Sequence, residues 1–338
     1  MTMQNLIPSR GMSTSDLIRL GAEFSLGAQP VDVSPRELDT PLYTGRLLAH
    51  EVQPGLTVTA SDVTYVGRQD MIVDMEPTLL CGVMLTGCTI ETEVVGHGRV
   101  TRLPGHAYLM GFGRTVRYCS PVVPGQRFRT AGFILKPAFF DRFGDNLADD
   151  GLAILRDFVI GDFRAEMLPR SPRLLEIARL CLEHPYSGQL GQLFLESNAL
   201  AYVVEVAELL KQERRVMALI GRRQYERVLE AREILDSDLV NTPTSLQLAR
   251  RVGVNVTTLQ ANFKTAFGTT IFGYVRDQRL MMARVLLREH GLGVAEAAHR
   301  VGFARPSAFS AAYRKHFGHS PRGETSQGKS GRSSLEEI

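Results

Sequence analysis

Ala249-Arg250-Arg251-Val252-Gly253-Val254-Asn255-Val256-Thr257-Thr258-Leu259-Gln260-Ala261-Asn262-Phe263-Lys264 is written a second time further along the chain. The second copy reads Ala298-His299-Arg300-Val301-Gly302-Phe303-Ala304-Arg305-Pro306-Ser307-Ala308-Phe309-Ser310-Ala311-Ala312-Tyr313-Arg314. Both close on Phe-Gly, at Phe267-Gly268 and Phe317-Gly318. Each copy joins a short amphipathic helix to a second helix with apolar residues at i, i+4 and i+8, through a turn opened by glycine. Glycine takes the positive φ that a tight turn needs, and the pattern is the sequence form of a helix-turn-helix. The alanines are 49 residues apart and the closing glycines 50, so the second turn is one residue longer. The two motifs span 246–267 and 294–317. Between them, Phe272 to Arg288 reads as one linker helix, roughly 25 Å long at 1.5 Å per residue.

Within the second helix of each motif, half the positions hold the fold and half are free to touch a partner. Leu259, Phe263 and Phe267 are four apart and point to a core; the opposite face carries Val256, Thr257, Gln260, Ala261 and Lys264. In the second copy Phe309, Tyr313 and Phe317 form the core stripe. Ser307, Ser310, Ala311 and Arg314 face outward, and Pro306 pre-sets the first turn. Gln can bond two edges of adenine, Thr and Ala can pack on a thymine methyl, and Lys suits a phosphate. These nine residues are the candidate DNA contacts, with simple solvation the alternative for the two serines and for Gln260.

Charge supports a split chain. Of 338 residues, enough for two domains, 222–321 hold 15 Lys and Arg against 8 Asp and Glu, whereas 1–221 hold 21 against 25. A basic half on an acidic body fits a polyanionic partner for one half only. Cys81, Cys88, Cys119 and Cys181 show no paired spacing, which reads as reduced thiols. No stretch at the start resembles a signal peptide and no run of about 18 apolar residues could form a membrane helix. A cytoplasmic protein without membrane contact is expected.

Residues 1–40 are polar and broken by Pro8, Pro30 and Pro35, which predicts a flexible arm with one helix near Ser15 to Gly21. Short β-type runs follow, at Leu56 to Ala60, Leu79 to Leu85, Thr89 to Val95, Tyr108 to Phe112 and Arg129 to Leu135; their spacing suggests a small barrel or sandwich. After Lys136-Pro137 the period turns helical, over Ala138 to Phe143, Asp150 to Phe158, Pro172 to Glu183 and Gln189 to Gln212. In Leu193 to Leu210 apolar positions run nearly all round, as in a helix packed on two sides. Lys211-Gln212-Glu213-Arg214-Arg215 reads either as an interdomain linker or as the exposed end of that helix. The predicted division is therefore a sensing and dimerisation domain over 41–215, a basic all-α domain over 222–322 and a disordered tail over 323–338. His97 and His106 lack the ligand spacing of a metal-binding cupin, so no metal and no cofactor are expected. Arg99, Arg102, Arg114, Arg117, Arg127 and Arg129 could grip an anionic effector, and a solvated sheet face explains them equally well; no ligand-binding residue is singled out.

The C-terminal motifs resemble the AraC/XylS family of transcription regulators. Its Arg-Leu-x-x-Ala linker signature stands as Arg279-Leu280-Met281-Met282-Ala283. Its Ala-x-x-x-Gly-Phe motif stands as Ala298 to Phe303, and Pro306 to Ser310 and Phe317 to Pro321 match its Pro-Ser-x-Phe-Ser and Phe-Gly-x-Ser-Pro motifs. Two departures stand out: Ala311 sits where many members have Arg, and Gly323-Glu324-Thr325 replaces a terminal Tyr-Arg, which predicts a shorter or frayed final helix. Gly96 to Ala107 looks like a cupin-type hairpin. Pro54-Gly55-Leu56 with Ile134 to Phe140 looks most like siderophore-responsive regulators of the pyochelin type. The resemblance implies an α+β sensor domain, a cupin-like β-barrel plus helices, followed by an all-α domain with two helix-turn-helix motifs joined by a linker helix. It implies a regulator, of activator type, that binds double-stranded DNA under a small-molecule effector, with a ferric siderophore as candidate. RNA polymerase and a second copy of the chain are candidate partners. Two other readings stay open: a constitutive DNA-bending factor, and a DNA-repair alkyltransferase, whose nucleophilic Cys should be flanked by Pro and His-Arg as none of the four is.

Overall fold

The computed structural model describes residues 11–324 except 24–25, 31–33, 35–36, 67–70, 115, 121–123, 145–150, 169 and 289–290. The chain divides into two compact units, Met1–Gln212 and Glu213–Ile338.

In the first unit, strands β1(Met12–Ser13), β3(Pro41–Gln53), β4(Leu56–Tyr65), β11(Arg127–Leu135), β6(Thr78–Thr86), β9(Ala107–Phe112) and β12(Arg164–Met167) form a seven-stranded sheet in that order. A five-stranded sheet runs β2(Leu26–Pro30), β5(Met71–Met75), β10(Val116–Ser120), β7(Ile90–Val94) and β8(Gly98–Arg102). The ladders of the described residues make two open sheets rather than the closed, cupin-like barrel expected. Period-2 alternation sorts the large sheet's faces. Leu56, Val58, Leu79, Cys81, Leu109, Phe133 and Leu135 lie under helices α3(Gly151–Ile160), α4(Pro172–Leu182) and α5(Gly188–Ile220), with Leu155, Phe158, Ala178, Tyr202 and Val206 as their partners. Tyr202 meets Phe133 edge-on at 5.3 Å and donates its hydroxyl to the Ala131 carbonyl, so the largest side chain in this core is also satisfied. On the other face, Tyr43, Val63, Met84 and Phe128 form one cluster and Met110, Phe112 and Val116 another.

The arm is a correction. Its described part begins with β1, which pairs with β3 through Met12 and Tyr43. Helix α1(Thr14–Glu23) follows and β2 then pairs with β5. Met12 is 2% exposed. Ser13 and Asp16 cap α1 reciprocally, the Asp16 carboxylate accepting from the Ser13 N–H at 3.0 Å and the Ser13 hydroxyl from the Asp16 N–H at 3.2 Å. Polarity hid this because so few apolar residues, Met12, Leu17 and Leu20, hold the segment down. Of the two readings of the charged run at Lys211 to Arg215, the structure shows the helical one: it continues α5, consistent with the helix propensity of Lys, Gln, Glu and Arg. The two stretches that look like the pyochelin-type regulators touch. Gly55, at φ 75°, turns β3 into β4, and a Cβ there would stand 2.4 Å from the Phe139 nitrogen of α2(Ala138–Asp141).

The second unit is all helix: α6(Arg222–Ser237), α7(Ser245–Arg251), α8(Val256–Phe267), α9(Ile271–Arg288), α10(Val294–Arg300) and α11(Pro306–Phe317). It holds two cores, and α9 belongs to both. Ile271, Tyr274 and Val275 pack with α6, α7 and α8; Leu280, Ala283 and Leu287 pack with α10 and α11. The expected shorter or frayed final helix is described only as far as Glu324, and the rest of it lies outside the described residues. Helix α11 runs to Phe317 and stops on Gly318 at φ 79°, and the chain turns back so that Glu324 is fully buried. Its carboxylate accepts from Arg284 Nε and the Tyr313 hydroxyl, both at 3.0 Å. The rest of the predicted disordered tail, 325–338, and the first ten residues lie outside the described residues. Glu324→Ala removes the acceptor shared by Arg284 and Tyr313 and should destabilise the second core by about 1–3 kcal/mol. Urea melts of the full chain followed by far-UV dichroism check this: an unchanged midpoint would remove Glu324 from the account.

Candidate nucleic-acid interface

The two helix pairs are built by the same local bonds. In the first, Val254 N–H reaches the Ala249 carbonyl at 3.0 Å and Gly253 N–H the Arg250 carbonyl at 3.3 Å; in the second, Phe303 N–H reaches Ala298 and Gly302 N–H reaches His299, both at 3.0 Å. That is the Schellman pattern of helix termination. Gly253 and Gly302 supply the left-handed residue it requires, at φ 68° and 81°. The turns then diverge. Thr244 and Gln247 form a capping box on α7, and the Asn255 side chain caps α8 by accepting from the Thr258 N–H at 2.7 Å. The second pair spends one more residue and starts α11 with Arg305 as an N-cap lacking a side-chain bond and Pro306 in the first turn.

Core residues then fix which face of each second helix is free. Leu259 and Phe263 are buried, as are Phe309 and Tyr313, while Phe267 and Phe317 are half-buried at the ends of the stripes. Each terminal phenylalanine is covered by a guanidinium, Phe267 by Arg232 at 5.6 Å and Phe317 by Arg284 at 4.8 Å. Thr257, Gln260, Ala261 and Lys264 are exposed, and so are Ser307, Ala311 and Arg314. Val256 and Ser310 are half-buried, and Val256 packs against the first core. Among the described residues, no hydrogen bond engages the Gln260 amide, the Lys264 ammonium or the Arg314 guanidinium. The two outward faces correspond at an offset of 50: Thr257 with Ser307, Gln260 with Ser310, Ala261 with Ala311 and Lys264 with Arg314. Continuing the same offset brings in a pair that sequence reasoning passed over, the exposed Thr265 and Lys315. Exposed Ala308 also belongs to the outward face. The repeat itself was the signal for Lys315, one position beyond Arg314.

The other sequence candidates lie elsewhere. His97 stacks on Phe163 at 4.9 Å, and His106 Nδ1 lies 3.2 Å from the Pro104 carbonyl. The described residues hold no group of three or more His, Cys, Asp or Glu side chains placed to bind a metal. Burial pushes the Cys181 thiol up to about 12 and raises that of Cys81 strongly, the reverse of what a nucleophilic thiolate requires.

The family model of the regulatory protein PchR N-terminal domain matches residues 44–219, just over half of the chain. This protein belongs to the PchR family. A helix-turn-helix domain model, assigned to the AraC family, matches 248–325 over the repeated pairs. Regulatory protein PchR of Pseudomonas aeruginosa is 33% identical over 129 residues, which cover 38% of this chain and 44% of that protein. The probable thc operon regulatory protein of Rhodococcus erythropolis is 41% identical over 81 residues, 23% of this chain and 24% of its own length. The chain thus spans less than half of either relative. Among solved structures, a transcriptional regulator with an AraC-type DNA-binding domain from Chromobacterium violaceum is 29% identical, covering 30% of this chain and 91% of that one at a TM-score of 0.29.

Gln260→Ala should cost about 1–3 kcal/mol at one base pair and relax discrimination there, whereas Lys264→Ala should weaken binding to every sequence alike. Footprinting on base-substituted operator DNA separates the two; an unaltered preference in Gln260→Ala would take Gln260 out of base readout.

Proposed function

We propose that this protein is a one-component transcription regulator, carrying two DNA-reading helix-turn-helix motifs and an N-terminal effector domain. The observation that supports it most is the pair of outward faces related by a fixed offset, each presenting hydrogen-bonding, methyl and cationic groups, with Gln260, Lys264 and Arg314 free of hydrogen bonds among the described residues. On this reading Thr257, Gln260, Ala261, Ser307, Ser310 and Ala311 meet base edges and methyl groups, Val256 sits at the rim, and Lys264 and Arg314 meet phosphates. The second helix, with Ala311 at its centre, reads fewer bases than the first. Likeness to PchR favours a ferric siderophore as effector and a cytoplasmic activator as the working form. Among the described residues no helix is long and apolar enough to cross a membrane. Leu190, Leu193 and Val204 lie exposed on α5, which supports a homodimer; RNA polymerase is the partner an activator requires.

Helix α9, shared by both cores, should set the recognition helices about one turn of DNA apart, near 34 Å. Proline in place of the exposed Met282 removes a helix bond and clashes with the carbonyl four residues back. Met282→Pro should abolish specific operator binding while keeping non-specific, salt-sensitive binding by the separate pairs. Gel shifts with specific and scrambled duplexes read this out, and intact specific affinity would mean that rigid spacing is not the linker's contribution. The effector half is tested by operator affinity of the full chain with and without ferric siderophores. A tenfold change in either direction corresponds to about 1.4 kcal/mol of differential affinity. No change with any siderophore or co-induced metabolite would leave a constitutive factor.

A further inference from the structure

The helix-covered face of the large sheet is not sealed at its β3–β4 end. Between those strands and the loop joining α4 to α5 lies a cavity of about 360 Å³, within the size range of small-molecule sites. Leu48, Ala60 and Cys181 make part of its lining apolar; Arg46 and Asp62 line it too, as do His184 and Tyr186. Both His184 and Tyr186 lean on Phe194, at 5.7 and 5.0 Å between ring centroids, so the loop presents an aromatic wall.

The lining carries one guanidinium, Arg46, and one carboxylate, Asp62, and the carboxylate is already engaged from behind. Arg127 grips Asp62 with two bonds of 2.7 Å, Arg129 lies 3.4 Å from the same carboxylate, and Arg129 also pairs with Glu183. The hydrogen bond from Arg127 holds the Asp62 carboxyl below the usual carboxylate range. Asp62 is thus held by Arg127 and Arg129 behind the lining, and Arg46, its neighbour on the lining, adds only a weaker pull on it. Among the described residues, no hydrogen bond occupies Arg46. The Nδ1 atom of His184 is buried without a hydrogen-bond partner, a cost that a bound group or water would relieve. The opposite face of the sheet offers less room, being filled by Tyr43, Val63, Met84 and Phe128.

We propose that this cavity binds a small organic anion with a flat aromatic ring, its acidic group held by Arg46 and its ring against His184 and Tyr186. Only the naming of that anion as the effector rests on the regulator reading above; the binding itself does not. A matched pair of probes tests it on the full chain: anilinonaphthalene sulfonate, which is anionic, and N-phenylnaphthylamine, the same ring system without charge. The sulfonate should bind saturably at one site per chain and at least about fivefold tighter than the amine, the scale of one partly exposed charge-assisted contact. Arg46→Glu should erase that preference, and Tyr186→Ala should weaken both probes. Both positions are exposed, so neither change disturbs the core, and melting curves verify that. Equal affinity for the two probes, or sulfonate binding that neither substitution alters, overturns the proposal. Operator gel shifts of Arg46→Glu without probe keep the two readings apart. Retained DNA binding with lost anion preference supports the cavity and the regulator together. Anion preference in a chain that binds no operator supports the cavity and sinks the regulator.

Discussion

The second unit depends on one guanidinium. Arg279, midway along α9, donates to the Leu239 carbonyl at 2.6 Å, to Val240 at 3.0 Å and to Gly302 at 3.0 Å. The first two acceptors lie at the start of the α6–α7 loop, on the side of the first core; the third is in the turn of the second helix pair. One planar side chain with several fixed donors can hold three main-chain carbonyls at once, which a lysine could not do. Burial opposes the charge and lowers its pKa, while the nearby Asp238 acts the other way. The fit is close, since a Cβ on Gly302 would stand 3.1 Å from the Arg279 carbon. Glycine at 302 is therefore required twice, by its positive φ and by the guanidinium beside it.

This bond explains why a two-core unit can behave as one ruler. A helix shared between cores transmits position only if neither core can rotate about it. Tyr274 fixes the first half of α9 to α6 by donating to Asp236 at 2.9 Å, and Arg284 fixes the second half to the buried Glu324. Arg279 sits between those anchors and bonds to both sides. The outward faces of α8 and α11 are then held by backbone acceptors rather than by mobile surface ion pairs, whose contribution is small.

The second unit was legible in the sequence because its constraints are local and repeated. Two Schellman turns demand Gly253 and Gly302 at matching places, and two core stripes leave matching outward faces. The first unit was less legible because its constraints are long-range. Strands β4, β6, β7, β9 and β11 stood out by alternation, but β3, rich in polar residues, and the short edge strand β12 are strands only by pairing. Barrel closure is a property of register between distant segments, and no local pattern encodes it. The arm failed for the same reason: Met12 finds its place against Tyr43, 31 residues away. Glu324 was hidden by its company, a carboxylate among Gly, Ser and Thr that becomes structural only when Arg284 and Tyr313 converge on it.

The same contrast bears on where a chain of this build can be adjusted. On the proposed reading, the DNA contacts are single outward side chains on α8 and α11, so their replacement changes which contacts are made without moving the frame. The cavity at β3–β4 is the opposite kind of site. Its walls come from two strands, the end of α4 and a loop, and its lining charges, Arg46 and Asp62, sit on the strands. A change in the loop from Glu183 to Ser187 alters the aromatic wall while the sheet side, tied by the Arg127–Asp62 pair, stays put. If the cavity holds the proposed anion, its preference can drift through the loop while the sheet keeps one fixed charge arrangement, so related chains should differ most between α4 and α5 and least at the guanidinium that spans the two cores of the second unit.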